Sequence, residues 1–184
     1  MLVTLIGYRG TGKSTLAPRL ASRLNFDWVD ADIELENHTG RSIREIFAND
    51  GEPEFRRLER EVLSLLLKRE RIVLAAGGGA ILNEETRNDF RAAGPVVWLQ
   101  ASIEAIARRI LRDGTTAPHR PNLTLAGGIE EIRAILADRE PMYRATATIE
   151  VSTEGSPMEA MVTRIVAQLP PEFQNRDLQK GTHS

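Results

Sequence analysis

The segment that most constrains the fold lies at the start of the chain. Residues 2–6 form a short β-branched apolar run that leads directly into GYRGTGKS at residues 7–14. The pattern Gly-x-x-x-x-Gly-Lys-Ser between a strand and a helix is typical of a loop that binds phosphate groups. Its glycines let successive backbone N–H groups converge on phosphate oxygens, and the N-terminus of the following helix adds positive charge. We therefore expect an α/β protein that binds a nucleotide through this phosphate loop.

Lys13 and Ser14 supply the charged and metal-binding groups of the phosphate loop. A lysine at that position reaches the β- and γ-phosphates, and the hydroxyl of the next residue is a ligand for Mg²⁺. The residues that we assign to nucleotide binding here are Gly10, Thr11, Gly12, Lys13, Ser14 and Thr15. A dinucleotide-binding loop would need a glycine in place of Thr15 and is excluded. The strings Asn-Lys-x-Asp and Asp-x-x-Gly, which GTPase switches use, do not occur in the sequence.

The composition excludes several other classes of protein. The chain has 184 residues, a net charge of −2, 41% hydrophobic residues and no cysteine. A near-zero net charge provides no general attraction for nucleic acid or an anionic membrane, and the absence of cysteine excludes disulfides and zinc–thiolate sites. The longest uncharged apolar stretch, residues 72–82, is too short to span a bilayer. We therefore expect a cytoplasmic monomer with small-molecule ligands and with neither nucleic-acid nor membrane partners.

Short apolar runs alternate with amphipathic stretches along the chain. The predicted strands are residues 2–6, 28–29, 72–76, 96–99 and 147–151. Three helices are expected from local signals. One has Pro53 in its first turn, one has Ser102 as its N-cap, and one is an apolar helical stripe that bends or ends near Pro141. This alternation predicts a parallel sheet with helices on both faces, and ligands bind such sheets beyond the carboxyl ends of the strands.

Two segments lack this periodicity. Residues 113–128 carry two prolines and are long for a connection, so they form either a functional loop or disorder. Residues 170–184 begin with Pro-Pro and are mostly polar, and we expect a flexible tail there. The remaining residues 1–169 are expected to form one domain.

Two motifs follow predicted strands on the ligand side of the sheet. The third strand lacks the terminal aspartate of an ordinary Walker B strand, so the metal-side carboxylate must come from Asp30 or Asp32. Their spacing suits one carboxylate directed at the metal and one at a substrate hydroxyl, but they could equally cap the next helix. Three glycines, Gly77, Gly78 and Gly79 (the glycine triplet), would let a small molecule approach the backbone closely. A loose turn before a helix capped by Asn83 is the alternative.

These motifs together resemble the shikimate kinase family over about residues 2–168. The motifs that carry the resemblance are the phosphate loop, Asp30-Ala31-Asp32, Glu54-Phe55-Arg56-Arg57, the glycine triplet, Arg120-Pro121 and the stretch from Asp138 to Tyr143. The resemblance implies a three-layer α/β/α fold with a five-stranded parallel sheet of the nucleoside-monophosphate-kinase type. It also implies a substrate-binding segment at about residues 31–60 and a lid at about 113–128. The implied reaction transfers the γ-phosphoryl group of ATP to the 3-hydroxyl of shikimate.

The resemblance also implies roles for individual residues. It assigns the substrate carboxylate to Arg56 and Arg139, and the substrate hydroxyls to Asp32 and the backbone of the glycine triplet. It directs Asp30 at Mg²⁺ together with Ser14, and it places Arg109 beside adenine. It assigns to Arg120 a contact with the transferring phosphate when the lid closes. The implied catalytic residues are Lys13, Asp32 and Arg120.

Each arginine also has an ordinary structural explanation. Arg56 lies off the apolar stripe of its helix and could be a solvated surface charge. Arg139 is in register with Ile132 and Leu136 on an inward helix face, where a buried ion pair is the alternative to a polar site. Arg109 could be a helix-surface charge, and Arg120 a charge on an exposed loop.

The lid departs from the family pattern, and other functions on the same scaffold stay open. The leucine that usually follows two residues after the lid arginine is Asn122, and the stretch from Arg109 to Arg120 is longer than usual. The alternatives are a kinase for gluconate or a nucleoside monophosphate, and a non-catalytic module that binds ATP and a partner protein. Two arginines with an Asp-x-Asp pair suit a carboxylated polyol better than a base and a phosphate.

Overall fold

The structure, a computed structural model, describes residues 1–112 and 128–174. The strands in these ranges are β1 (Leu2–Ile6), β2 (Asp27–Asp30), β3 (Ile72–Ala75), β4 (Val96–Gln100) and β5 (Ile149–Ser152). They form one sheet in the order β2-β3-β1-β4-β5, and every neighbouring pair is parallel. The prediction of a five-stranded parallel sheet is confirmed, with strand ends that lie within two residues of the predicted ones.

Helices cover both faces of this sheet. Those in the described ranges are α1 (Lys13–Leu24), α2 (Ala31–Thr39), α3 (Ile43–Leu66), α4 (Glu84–Ala93), α5 (Ile103–Arg112), α6 (Gly128–Thr146), α7 (Met158–Gln168) and α8 (Pro171–Gln174), with a 3₁₀ turn at Ala80–Leu82. As predicted, the Ser102 hydroxyl caps α5 by accepting the N–H of Ala105. Helix α6 does not end at Pro141, because Tyr143 and Thr146 beyond the proline are buried in the core.

Alternate residues of β1 face two separate apolar cores. Leu2 and Ile6 pack with residues of α2, α3, α4 and α6, including the fully buried Phe55. Val3 and Leu5 pack on the other face with residues of α1 and α7. Burial of each large apolar side chain contributes about 1.5–3 kcal/mol, so the two cores hold the helical layers against the sheet.

Helix α3 is interrupted before it reaches the candidate site. It begins at a capping box, in which the Ser42 hydroxyl accepts the Glu45 N–H and the Glu45 carboxylate accepts the Ser42 N–H. Gly51 then leaves the helical conformation, with φ 80° and ψ −179°. Pro53 follows in the first turn of the second half, as predicted, and Arg56 lies in the next turn.

The carboxyl ends of the five strands meet at one edge of the sheet, and the candidate residues follow them there. The predicted lid lies outside the described residues except for Gly128, and Arg120 lies outside them as well. Helix α8 falls within the segment expected to be a flexible tail, and its Phe173 ring lies 6.2 Å from that of Phe26. In the described part of the chain, no helix has the length and apolar character needed to cross a membrane.

Candidate active site

The phosphate loop joins the end of β1 to the first turn of α1. Gly12, at the N-cap of α1, has φ 97°, a conformation that glycine adopts without steric cost. A Cβ on Gly7 would lie 2.6 Å from the Leu99 carbonyl oxygen, so a side chain there would displace β4. These glycines keep the loop in the compact conformation that directs backbone N–H groups toward a phosphate.

Lys13 and Thr11 bind the backbone of the same loop. The Lys13 ammonium donates to the carbonyl oxygens of Gly7, at 2.7 Å, and Tyr8, at 3.0 Å. The buried Thr11 hydroxyl donates to the Tyr8 carbonyl at 2.7 Å. Thr11 therefore shapes the loop with its side chain, while the Lys13 ammonium lies at the phosphate-binding face of the site.

Asp30 connects the phosphate loop to the substrate-binding segment. Its Oδ2 accepts the Ser14 hydroxyl at 2.6 Å, and its Oδ1 accepts the N–H of Asp32 at 3.0 Å, which caps α2. A hydroxyl beside a carboxylate is a donor set that suits Mg²⁺, which keeps several waters and takes its other ligands from substrate phosphates. Among the described residues there is no cluster of three or more acidic, histidine or cysteine side chains that could bind a metal without a substrate.

A cavity of about 470 Å³ opens beside these groups. Its lining residues include the phosphate loop, Asp30, Asp32, Gly77, Gly78, Arg109, Arg112, Thr153 and Met158. Arg109 is held in place at one end of this cavity. Its guanidinium donates to the carbonyl oxygen of Gly10 and to both the hydroxyl and carbonyl oxygens of Thr153. The phosphate loop, the Asp30 carboxylate and Arg109 therefore share one cavity of the size that a nucleotide requires.

The glycine triplet lies against the phosphate loop. A Cβ on Gly78 would be 3.3 Å from the Arg9 backbone nitrogen and 3.4 Å from the Gly7 carbonyl oxygen. On Gly79, a Cβ would be 2.6 Å from both terminal nitrogens of Arg56. The absence of side chains thus allows the phosphate loop and the Arg56 guanidinium to approach neighbouring points of the same turn.

Arg56 is held by carboxylates of its own helix. Its guanidinium donates to Glu59 at 2.6 Å and to Glu52 at 3.1 Å, and it lies over the Phe55 ring at 5.1 Å. Burial opposes the charge of Arg56, but the carboxylates of Glu59 and Glu52 outweigh it and raise the arginine pKa above its ordinary value. The guanidinium is therefore a permanent cation in a fixed position.

Arg56 and the nucleotide cavity meet at the glycine triplet. Arg56 lines an adjoining cavity of about 550 Å³ together with Glu52, Glu59 and Gly79. Arg139, on α6, donates from Nη1 to the Gly78 carbonyl oxygen at 3.2 Å. The two predicted carboxylate-binding arginines therefore both contact the triplet, whose first two glycines line the cavity of the phosphate loop.

Several residues of the site were not assigned from the sequence. Tyr8, a residue of the phosphate loop that is 4% exposed, packs against Ile106 and Ile132. The hydroxyl of Tyr143 donates to the Gly78 carbonyl oxygen at 2.6 Å, and Thr153 binds Arg109. Of these, only Tyr143 carries a sequence signal, since it follows Arg139 by four residues and shares its helix face.

Comparisons with known proteins identify the family. The family profile described as shikimate kinase matches residues 9–170. The shikimate kinase of Mycobacterium avium is 44% identical over 166 residues, which are 90% of this chain and 92% of that protein. The shikimate kinase of Rhodopirellula baltica is 40% identical over 174 residues, which are 95% of this chain and 93% of that protein.

Solved structures agree with the sequence comparisons. A shikimate kinase from Acinetobacter baumannii in complex with shikimate superposes with a TM-score of 0.83 at 34% identity, covering 90% of each chain. A gluconokinase from Sinorhizobium meliloti, with a TM-score of 0.58 and 15% identity, covers 90% of this chain and 89% of that one and shares the fold alone. The chain belongs to the shikimate kinase family and is an ATP-dependent kinase that phosphorylates an alcohol group.

Proposed function

We propose that the chain transfers the γ-phosphoryl group of ATP to the 3-hydroxyl of shikimate, with the residues assigned below. The observation that carries this proposal is the contact of three cationic elements around the glycine triplet. The phosphate loop packs on Gly78, Arg139 donates to the Gly78 carbonyl, and the Arg56 guanidinium lies against Gly79. A phosphate donor and a carboxylate-bearing acceptor would thereby be bound side by side.

ATP would occupy the cavity of about 470 Å³ beside the phosphate loop. Backbone N–H groups of the loop and the Lys13 ammonium would bind its phosphates, and Arg109 would lie at the opposite, nucleoside end. Ser14 and Asp30 would hold Mg²⁺, which when bound offsets negative charge on the β- and γ-phosphates. This assignment is supported by the 2.6 Å contact between the Ser14 hydroxyl and the Asp30 carboxylate.

The acceptor would bind next to the triplet. Arg56 and Arg139 supply guanidinium groups, which bind a carboxylate in a bidentate manner more readily than an ammonium does. Asp32 lies in the first turn of α2 and lines the phosphate-loop cavity, where its carboxylate would orient the attacking hydroxyl. The backbone of the triplet would contact the other hydroxyls.

In the reaction, the acceptor oxygen forms a bond to the γ-phosphorus as the bond from that phosphorus to the β,γ-bridging oxygen breaks. The hydroxyl proton passes to Asp32, and ADP leaves with the bridging oxygen. The chain contributes position and charge rather than covalent chemistry, as is usual for phosphoryl transfer. A role for Arg120 in neutralising the transferring group is part of the proposal and is supported by the family resemblance.

We also propose a single domain with a substrate-binding segment at about residues 31–60 and a lid at about 113–128. A monomeric state and a cytoplasmic location complete the proposal. The small size and near-zero net charge of the chain support a monomer, and the small-molecule substrates ATP and shikimate are compatible with the cytoplasm.

The decisive experiment measures ADP release by the purified chain with Mg²⁺ and ATP, adding shikimate, gluconate or a nucleoside monophosphate in turn. Of the three acceptors, we expect only shikimate to support ADP release. Turnover with gluconate or a nucleoside monophosphate instead would assign the acceptor site to a different substrate. ATP binding without turnover on any acceptor would contradict the proposed reaction.

Arg56→Ala tests the acceptor side of the proposal. Loss of a guanidinium that binds the substrate carboxylate should raise the KM for shikimate on the order of tenfold to a hundredfold, with little change in the KM for ATP. The matched control is Arg57→Ala, because that neighbouring side chain is 59% exposed and forms only surface ion pairs with Glu54 and Glu61 among the contacts described. Equal KM values for shikimate in both variants would refute the role of Arg56.

A further inference from the structure

One backbone oxygen at the centre of the site accepts two side-chain hydrogen bonds from α6. The Gly78 carbonyl oxygen accepts the Tyr143 hydroxyl at 2.6 Å and the Arg139 guanidinium at 3.2 Å. The two donors are four residues apart, so they lie one helical turn apart on the same face of α6. A carbonyl oxygen has two lone pairs and can satisfy both donors at once.

The two donors differ in rigidity. Tyr143 is 1% exposed, and its ring stacks on that of Trp98 with centroids 5.7 Å apart. A tyrosine side chain has few rotatable bonds, and the packing of α6 on β4 fixes the orientation of the Tyr143 ring. Arg139 is a long side chain in a partly exposed position, with many more rotamers available to it.

We infer that Tyr143 is a positioning residue for acceptor binding, and this inference rests on the proposed role of Arg139 in binding the substrate carboxylate. The buried phenol fixes the direction of the Gly78 carbonyl, and that carbonyl in turn orients the Arg139 guanidinium. A guanidinium has five N–H donors, so one bond to Gly78 is compatible with bidentate binding of a carboxylate. Tyr143 itself does not touch the substrate.

The position of the hydroxyl predicts which substrate is affected by its loss. The groups proposed to contact ATP are the loop N–H groups, Lys13, Ser14 and Arg109, whereas the hydrogen bond described for the Tyr143 hydroxyl is to the Gly78 carbonyl. The Gly78 carbonyl, by contrast, is shared with Arg139. Loss of the hydroxyl should therefore weaken shikimate binding and leave ATP binding almost unchanged.

Tyr143→Phe tests the inference, because it removes the hydroxyl and keeps the stacked ring. We expect the KM for shikimate to rise about fivefold to tenfold, as is typical for loss of a hydrogen bond that orients a charged group, and the KM for ATP to stay within about twofold. A KM does not depend on the fraction of folded enzyme, so partial destabilisation does not obscure this comparison.

The matched control is Thr146→Val on the same helix. The buried Thr146 hydroxyl also donates to a backbone carbonyl at 2.6 Å, but its acceptor is Met142 of its own helix and not a glycine of the triplet. Its loss should lower thermal stability while leaving both KM values unchanged. If Thr146→Val and Tyr143→Phe change the KM for shikimate equally, Tyr143 has only a structural role and the inference is wrong.

Arg139→Ala, alone and combined with Tyr143→Phe, separates this inference from the proposed function. If Tyr143 acts through Arg139, adding Tyr143→Phe to Arg139→Ala should raise the KM for shikimate by less than about twofold further. A fully multiplicative effect would overturn the inference and leave the role of Arg139 intact. If Arg139→Ala alone leaves the KM for shikimate unchanged, both the proposed role and the inference fail.

Discussion

Asp30 uses its two carboxylate oxygens for two different tasks. One accepts the Ser14 hydroxyl beside the phosphate loop, and the other accepts the N–H of Asp32 at the start of α2. The same side chain therefore caps a helix and lies where a metal-bound phosphate would be. A substitution can separate the tasks, because asparagine caps a helix as well as aspartate does but is a weaker ligand for Mg²⁺.

Asp30→Asn should raise the Mg²⁺ concentration needed for half-maximal activity on the order of tenfold, since the neutral amide loses the charge attraction for the cation. Thermal stability should change little, because the cap is retained. Titration of activity with Mg²⁺ at saturating ATP and shikimate measures the effect. Asp27→Asn, at the exposed start of the same strand, is the control, and an identical Mg²⁺ requirement in both variants would disprove the assignment.

The residues of the site differ in how far sequence alone could identify them. The roles of Lys13 and Ser14 were predictable because all residues of the phosphate loop are adjacent in the sequence and form one recognisable motif. The hydrogen bond between Tyr143 and Gly78 joins residues that are 65 positions apart. The spacing of four residues places Tyr143 on the same helix face as Arg139, but no local pattern encodes its contact with Gly78.

At the scale of elements, the break in α3 determines where Arg56 lies. Gly51 has φ 80° and ψ −179°, a combination that only glycine adopts readily. The helix then restarts at Pro53 in a new direction, and its second half brings Arg56 against the glycine triplet. Pro53 predicted from the sequence where the second half of α3 starts. The continuation of α6 through Pro141 was not predictable in this way, because it depends on the burial of the residues that follow the proline.

Gly51→Ala should destabilise the protein by about 2–3 kcal/mol because the backbone conformation excludes a side chain. Space is not the cause, since the nearest atom to an added Cβ outside the adjacent residues is Pro53 Cδ at an ordinary 3.6 Å. Gly40→Ala is a suitable comparison, because φ 65° and ψ 15° lie in the left-handed region that costs other residues only about 1 kcal/mol. Urea denaturation would measure both, and an equal loss of stability would refute this explanation.

At the scale of the whole molecule, the residues proposed to bind the two substrates line two cavities on either side of the glycine triplet. Asp32 and Gly78 line the cavity of the phosphate loop, and Arg56 and Gly79 line the other. The alternation of strands and helices predicted the parallel sheet and the edge at which both cavities lie. The strand order β2-β3-β1-β4-β5 was not predicted, because apolar spacing says nothing about which strands become neighbours. The position of Arg56 in the adjoining cavity likewise depends on tertiary packing.

Because different residues are proposed to bind ATP and shikimate, the two ligands should have separable effects on stability. At about one hundred times its Kd, either ligand should add about 2.7 kcal/mol to the unfolding free energy and raise the Tm by roughly 5–10 °C. At the same shikimate concentration, a tenfold to hundredfold loss of affinity in Arg56→Ala should reduce the stabilisation by shikimate to about 0.4–1.4 kcal/mol and leave the shift produced by ATP with Mg²⁺ unchanged. Thermal unfolding of both proteins with each ligand tests this, and loss of both shifts in the variant would show that Arg56 supports the fold rather than the acceptor.

Strand β2 is at one edge of the sheet, and among the described strands it pairs only with β3. The hydrogen bonds of an edge strand can therefore open locally while the other strands of the sheet stay paired. Asp30 is the last residue of β2, and Ser14, which donates a hydrogen bond to Asp30, lies in the first turn of α1. A cation bound by these two residues would link an edge strand of the sheet to the helix that follows the phosphate loop, so metal binding would stabilise this edge of the sheet as well as the nucleotide.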